Sequence, residues 1–180
     1  MESRERQLVL DQLASSEARL LELVEGLTPE QWSFHETSER WSIAEIIEHV
    51  ILFENFVTRA IAESMEGPPE PEKRPMAAAK DPLVHGLANS RSTKFNAREA
   101  VRPAGKWPDT TELIKELRTI RARTIAFAGE IKADLSNHFF PHIAFGDLDC
   151  YQWLVVLGQH ADRHALQIKE IKSHPGYPAP

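Results

Sequence analysis

Cysteine is almost absent from this sequence, which limits how the fold can be held together. Cys150 is the only cysteine among the 180 residues, so no disulfide can form within the chain and a zinc site would need mainly histidine or carboxylate ligands. Such a chain suits a reducing compartment. Residues 1–6 are also too polar for a signal peptide. Together these features predict a cytoplasmic protein.

Long apolar runs and an excess of positive charge are missing as well. No uncharged apolar stretch approaches the roughly 20 residues that cross a bilayer. The chain has 21 basic and 27 acidic residues, a net charge of −6, and so lacks the basic surface that neutralises phosphates. We therefore expect no nucleic acid and no membrane as partners.

Alternating patterns typical of half-buried strands are lacking, whereas four stretches repeat their apolar residues with helical spacing. These stretches begin near the N-terminus, at Ser42, at Asp109 and near Asp149, and the last one ends near Ile171. At Ser42 the pattern S-x-x-E is that of a capping box. A length of 180 residues suits one domain. The sequence therefore predicts an all-α, four-helix bundle in one domain, residues 1–180.

A long connection separates the second and third predicted helices. Residues 66–108 lose the helical periodicity and are rich in proline. Either this crossover contains minor local structure, or it runs the length of the bundle and lets the helices on its two sides lie parallel. Between the third and fourth helices we expect a loop that carries Pro141 and Gly146.

Histidines are the residues with the most informative spacing. His160 and His164 lie four residues apart in the fourth helix, and therefore on the same face. His49, in the middle of the second helix, lies close enough to the apolar stripe to enter the bundle. These rings are either ordinary polar residues of the core or metal ligands, because imidazole is the commonest metal-binding side chain.

Two familiar metal motifs are excluded by the residues around these histidines. The H-E-x-x-H motif of zinc peptidases needs a glutamate where this chain has Ala161. Di-iron bundles need a glutamate three residues before each histidine, and Ile46, Leu157 and Ala161 occupy those positions. Neither a peptidase of that type nor a carboxylate-bridged pair of metals is expected.

Several short motifs occur in an order that resembles a known family. They are Trp41-Ser42-Ile43-Ala44-Glu45 followed by His49, Phe145-Gly146 before the fourth helix, and His160-x-x-x-His164-x-x-Gln167-Ile168 within it. This combination is similar to the DinB/YfiT-like family of small metal-binding four-helix bundles. The resemblance implies a long crossover between helices two and three, a homodimer, and one divalent metal held by His49, His160 and His164.

The resemblance leaves the reaction open, because fold and site do not determine function. We expect a metal-dependent enzyme that acts on a small molecule, either as a thiol-dependent S-transferase or as a hydrolase. We expect zinc or nickel as the metal and, for the transferase, a low-molecular-weight thiol. The alternative is a stress-associated, metal-binding bundle without turnover. Three further residues are candidates for supporting the ligands or lining the pocket, namely Glu45, Gln167 and His142. No general base or other catalytic residue is identified.

Overall fold

Four long helices form a four-helix bundle in the computed structural model, which describes residues 1–87 and 97–179. In chain order the helices are α1 (Ser3–Val24), α2 (Pro29–Ser33), α3 (Ile43–Glu66), α4 (Arg74–Ala78), α5 (Asp81–Leu87), α6 (Thr110–Glu130) and α7 (Cys150–Lys172). The long ones, α1, α3, α6 and α7, correspond to the four predicted helices. Within the described ranges, no helix combines the length and apolar character needed to cross a membrane.

Side-chain caps define where three of the long helices begin. At α3, the Ser42 hydroxyl accepts from the backbone N–H of Glu45 (3.3 Å), and the Glu45 carboxylate accepts from the N–H of Ser42 (2.7 Å). Asp109 and Asp149 cap α6 and α7 through their carboxylates. These caps satisfy backbone donors that have no partner inside the helix. The helix starts predicted from the sequence at these positions are therefore confirmed.

The long helices pack as two parallel pairs that run in opposite directions. One apolar cluster joins the first halves of α1 and α7 to the second halves of α3 and α6. The other cluster joins the remaining halves of the same four helices. Between α1 and α7, Arg19 pairs with Asp162 at 2.6 Å and, farther along both helices, Lys172 donates to the Leu23 carbonyl at 2.7 Å. Thus α1 is parallel to α7, and α3 is parallel to α6.

A buried ion pair lies between the two apolar clusters. The Arg121 guanidinium of α6 contacts the Glu54 carboxylate of α3 at 2.9 Å, and both side chains are at most 1% exposed. Arg121 also donates to the Leu13 carbonyl (2.9 Å) and the Ser16 hydroxyl (3.0 Å) of α1. One side chain therefore connects three helices in a region where an unpaired charge would be costly.

The crossover combines the two possibilities that the sequence left open. It contains α4, α5 and 3-10 turns at Pro71–Lys73 and Glu99–Val101, and it also connects two helices that are parallel. Residues 88–96, which belong to the predicted crossover, lie outside the described residues. The later part of the crossover is attached to α3, because the buried Glu48 carboxylate accepts from the backbone N–H groups of residues 104–106 at 3.0 to 3.1 Å.

A small hairpin occupies the place where the sequence predicted a loop. Strands β1 (Phe139–His142) and β2 (Gly146–Asp149) pair antiparallel, with Phe139 opposite Asp149 and His142 opposite Gly146. Each strand has four residues, which is too short for an alternating pattern to be recognised, and β1 includes Pro141. Gly146 has a φ of 66°, a conformation that favours glycine. The hairpin brings His142 to one side of the bundle.

Candidate metal centre

Three histidine rings from two antiparallel helices meet in the bundle. His49 comes from the first half of α3, and His160 and His164 come from the second half of α7. One ligand atom from each ring lies within 4.8 Å of the other two. The Nε2 atom of His160 lies 3.1 Å from that of His49 and 3.2 Å from that of His164. The fold thus brings together the three histidines that the family resemblance implied as ligands.

Hydrogen bonds on the far side of two of the rings fix which nitrogen carries the proton. His49 Nδ1 donates to the Val101 carbonyl at 2.6 Å, because a carbonyl can only accept. His164 Nδ1 contacts Oε1 of Gln167 at 3.0 Å and donates in the same way. Each Nε2 atom is then left with its lone pair directed at the centre, as in metal-ligating histidines whose other nitrogen is held by an acceptor.

The donor set fits a bound cation. The lone pairs of His49 Nε2 and His164 Nε2 both face His160 Nε2. A single proton on His160 Nε2 can form a hydrogen bond with only one of them. A metal ion at the centre would be bound by all three nitrogens. In a tetrahedral zinc site with Zn–N bonds of 2.0 to 2.1 Å, ligand nitrogens lie about 3.3 Å apart, which is close to the 3.1 and 3.2 Å observed here.

Electrostatics keep two of these rings neutral. Burial is the main effect that lowers the pKa of His49, with the Val101 hydrogen bond acting weakly in the opposite direction. Burial also lowers the pKa of His160 well below its usual value, and the neighbouring His164 and His49 rings contribute to the same shift. Neutral imidazole is the form that binds a metal, so the site favours coordination over protonation.

Aromatic side chains hold the rings in place. The Phe53 ring stacks on His160 with a centroid distance of 3.8 Å and an interplanar angle of 17°. Trp41 lies against His49 with its ring centroid at 4.8 Å. Because these contacts restrict rotation of both imidazoles, while Gln167 holds His164, the three nitrogens are positioned before any ligand arrives.

The histidines open into a cavity of about 510 Å³. Its wall is largely aromatic and aliphatic, and its rim carries exposed arginines. Besides the three histidines, the lining residues are Glu39, Arg40, Trp41, Phe53, Phe56, Ala97, Arg98, Val101, Arg102, His142, Ile143, Phe145, Trp153, Val156, Arg163 and Gln167. A cavity of this size, which combines an apolar wall with converging polar groups, is typical of small-molecule sites.

His142 is a neutral hydrogen-bond donor on the cavity wall. Its Nδ1 accepts from the backbone N–H groups of Ala144 (3.1 Å) and Phe145 (3.3 Å), so the ring proton resides on Nε2. The ring stacks on Phe145 at 4.5 Å. Burial, followed by the positive charge of Arg98, lowers the pKa of His142 to about 4.

The other predicted residues are distributed differently. Gln167 lines the cavity and anchors His164. Glu45 caps α3 and is not among the lining residues described above. Asp162, between the two histidines of α7, pairs with Arg19, whereas the neighbouring Arg163 is buried and lines the cavity. Arg163 enters the cavity because most of α7 is buried.

Two groups that support His49 were not predicted from the sequence. The Val101 carbonyl belongs to the 3-10 turn of the crossover, and a backbone acceptor has no side-chain signature. Glu48, next to His49 in the chain, fixes residues 104–106 against α3. Its only sequence signal is a charged residue within one turn of an apolar helical stripe.

Fold and geometry define this protein as a four-helix bundle with a candidate three-histidine metal centre. It belongs to the DinB superfamily, which its sequence matches over residues 12–168. A protein from Bacillus subtilis (strain 168), the uncharacterized protein YuaE, is 28% identical over 151 residues, which cover 83% of this chain and 88% of YuaE. Membership in a DinB-like family is therefore confirmed.

The fold is also similar to that of a solved structure. YfiT from Bacillus subtilis, described as a probable metal-dependent hydrolase with an unusual four-helix bundle topology, superposes with a TM-score of 0.60. The two sequences are 13% identical, and the match covers 99% of this chain and 91% of YfiT. At this identity the similarity concerns the fold.

Proposed function

We propose that this protein is a metal-dependent enzyme that acts on a small molecule. The observation that carries the proposal is the convergence of three histidine Nε2 atoms in the wall of a cavity of about 510 Å³. His49, His160 and His164 are the proposed ligands. Three protein ligands leave a coordination position for water or substrate, as in catalytic zinc sites.

A ligand of the bound metal is the nucleophile in this proposal. The described residues that line the cavity include no serine, threonine, cysteine, lysine or tyrosine. Cys150 belongs to the apolar core, and burial raises the pKa of its thiol to about 12. A divalent metal held by neutral imidazoles lowers the pKa of a water or thiol ligand, and this is the chemistry that the bound ion supplies.

Two reactions follow from these two nucleophiles. Hydrolysis of an ester or amide, with water as the nucleophile, is supported by the description of YfiT as a probable metal-dependent hydrolase. The second reaction is transfer of a small electrophile to a low-molecular-weight thiol. The cavity lining supports it, because its only carboxylate among the described residues is that of exposed Glu39, which leaves few candidates for a general base. A thiol ionises more readily than water and has less need of a general base.

The chain's own residues would orient the substrate and exclude water. His142, with its proton on Nε2, is a neutral donor for an oxygen of the electrophile. Phe53, Phe145 and Trp153 form an apolar wall against which the substrate body can pack. Zinc and nickel are the ions we expect, because imidazole ligands bind both well.

Metal content is the first test. We expect about one equivalent of divalent metal per chain by mass spectrometry of protein purified without an affinity tag or chelator. His160→Ala and His164→Ala should lose this metal and keep their helical circular dichroism. His85→Ala is the matched control, because His85 is exposed on α5. If both His160→Ala and His164→Ala retained the metal, the proposed site would be refuted.

Activity is tested on metal-loaded protein with two probes. An activated ester such as p-nitrophenyl acetate reports hydrolysis. Chlorodinitrobenzene with cysteine reports thiol transfer, in which the C–S bond forms, chloride leaves and the thiol proton passes to solvent. Turnover that is lost in His160→Ala and kept in His85→Ala supports an enzyme. Bound metal without turnover across a broader set of esters and electrophiles would favour the non-catalytic, metal-binding alternative.

A homodimer is part of the same proposal, because the family resemblance implies one. Sedimentation equilibrium of the metal-loaded protein should give a mass of twice 20.4 kDa. A mass of 20.4 kDa that does not change with concentration would contradict the dimer and leave the metal proposal intact.

A further inference from the structure

The rim of the metal cavity carries a charge opposite to that of the whole chain. The protein has a net charge of −6, yet the described lining contains four arginines, which are Arg40, Arg98, Arg102 and Arg163, and one glutamate, Glu39. Charges of one sign around an apolar cleft concentrate the field there and attract ligands of the opposite sign. Arg40 is paired with Glu36 and Glu170, so the positive potential that a substrate meets at the rim comes mainly from the exposed Arg98 and Arg102.

Arg98 and Arg102 are the two arginines most available to a ligand. Both are exposed, and they flank the 3-10 turn at Glu99–Val101. The guanidinium of Arg98 lies 5.7 Å from the centroid of the Phe56 ring, and Nε of Arg102 donates to the Ala97 carbonyl at 3.2 Å. These contacts leave the positive charge uncompensated, and within the described ranges neither residue has an ion-pair partner.

The same turn connects the rim to the metal centre. Val101, between the two arginines, supplies the carbonyl that accepts from His49 Nδ1. A ligand group held at Arg98 and Arg102 is therefore placed on a segment that is hydrogen-bonded directly to a candidate metal ligand. The wall between is apolar and includes Phe53 and Trp153.

We infer that this cavity selects small amphiphilic anions. The carboxylate, sulfonate or phosphate group of the ligand binds Arg98 and Arg102, and its apolar body packs on the aromatic wall near the three histidines. Guanidinium groups suit such anions because their donors match two oxygens at once. This inference rests on the proposed function, since it specifies the substrate class of the same site.

The test compares three naphthalene probes by calorimetry on zinc-loaded protein at low salt. They share one apolar body and differ in charge, being naphthalene-2-sulfonate, neutral naphthalene-2-methanol and cationic 2-naphthylmethylammonium. We expect the sulfonate to bind most tightly, with one site per chain. In Arg98→Gln/Arg102→Gln its affinity should fall at least about tenfold, and that of the alcohol should change less than about twofold.

A matched control removes the same charge elsewhere. Arg4→Gln/Arg123→Gln also deletes two exposed arginines, neither of which lines the cavity, so the sulfonate affinity should stay within about twofold of wild type. Equal affinity for the three probes, or sulfonate affinity unchanged in Arg98→Gln/Arg102→Gln, would overturn the inference. Metal content measured on the same samples separates this failure from failure of the metal proposal, because the arginines are not metal ligands.

Discussion

At the scale of single residues, hydrogen bonds to the Nδ1 atoms of His49 and His164 orient the two rings toward the centre of the site. His164 is held by Gln167 and His49 by the Val101 carbonyl. Such partners fix the tautomer and the ring orientation, and they increase the basicity of the nitrogen that faces the metal. We therefore expect Gln167 to affect metal binding through His164, without being a ligand itself.

Gln167→Leu should weaken metal binding while the fold persists. Leucine fills a similar volume at this buried position but cannot accept from His164 Nδ1. We expect the metal dissociation constant to rise about 10- to 100-fold, measured by competition with a chromophoric chelator. Gln167→Glu keeps an acceptor oxygen and should stay closer to wild type. Equal affinities for wild type and Gln167→Leu would contradict the role assigned to Gln167.

His142 should make stability depend on pH below neutrality. Its pKa of about 4 in the folded protein is lower than the roughly 6.5 of an unfolded histidine. Between these values the unfolded chain binds the extra proton, so the free energy of unfolding falls as the pH decreases through this window. Urea unfolding from pH 7 to pH 4.5 should show a smaller fall for His142→Phe, which keeps the stacking, than for wild type.

Wild type must be compared with His142→Phe because another group changes stability in the opposite direction. Burial raises the pKa of Asp149 to about 6, so the folded protein takes up this proton first and gains stability as the pH falls. Asp149 is present in both proteins, and the difference between their profiles isolates His142. Parallel profiles would show that His142 does not carry the lowered pKa.

At the scale of elements, residues 99–106 act as a strap across α3. The turn at Glu99–Val101 contacts His49, and the following backbone donates to Glu48. Glu48 and His49 are consecutive, so one turn of α3 both anchors the strap and supplies a candidate ligand. We therefore expect structural support and metal binding to be coupled through this short segment.

Glu48→Ala should therefore affect stability and metal binding together. Removing the carboxylate deprives three backbone N–H groups of their acceptor, which lowers the free energy of unfolding by about 1 to 3 kcal/mol. Metal affinity should also decrease, because the Val101 carbonyl loses its fixed position. Denaturant unfolding and chelator competition measure the two effects. Glu63→Ala, on an exposed part of α3, is the control, and a loss of stability with unchanged metal affinity would argue against this coupling.

Element prediction from sequence succeeded where the signals were long or chemically specific. The long helices have extended periodicity and capping residues such as Ser42 and Asp109. The hairpin was missed because its four-residue strands are too short for a periodic signal. The contact between Val101 and His49 spans 52 positions and involves a backbone carbonyl, so no local pattern indicates it.

At the scale of the whole molecule, the Arg121–Glu54 pair should be a large determinant of stability. Arg121→Ala leaves a buried carboxylate without its partner, and we expect the free energy of unfolding to fall by about 3 to 5 kcal/mol. The double variant Arg121→Met/Glu54→Leu removes both charges and should recover most of this loss. Denaturant unfolding checks both values. A double variant no more stable than Arg121→Ala would contradict the explanation from an unpaired charge.

The candidate site was predictable in part because helical periodicity places His160 and His164 on one face, and because His49 lies near an apolar stripe. Their convergence on one point depends on the antiparallel approach of α3 and α7, which no local pattern encodes. The Arg98 and Arg102 rim was not predicted, because it arises only when the crossover folds back over the cavity. The ligand residues and their helix faces could be predicted from the sequence. Contacts between residues far apart in the chain could be seen only in the structure.

The parallel arrangement of α1 with α7 also has a consequence for how the protein is made. The first and last long helices are direct neighbours, and His49 meets a histidine 111 positions later in the chain. Because synthesis proceeds from the N-terminus, His49 leaves the ribosome long before α7 exists. Neither apolar cluster can close until α7 arrives, and contacts this distant in sequence form slowly. We therefore expect metal capture by all three histidines only in a chain whose folding is complete.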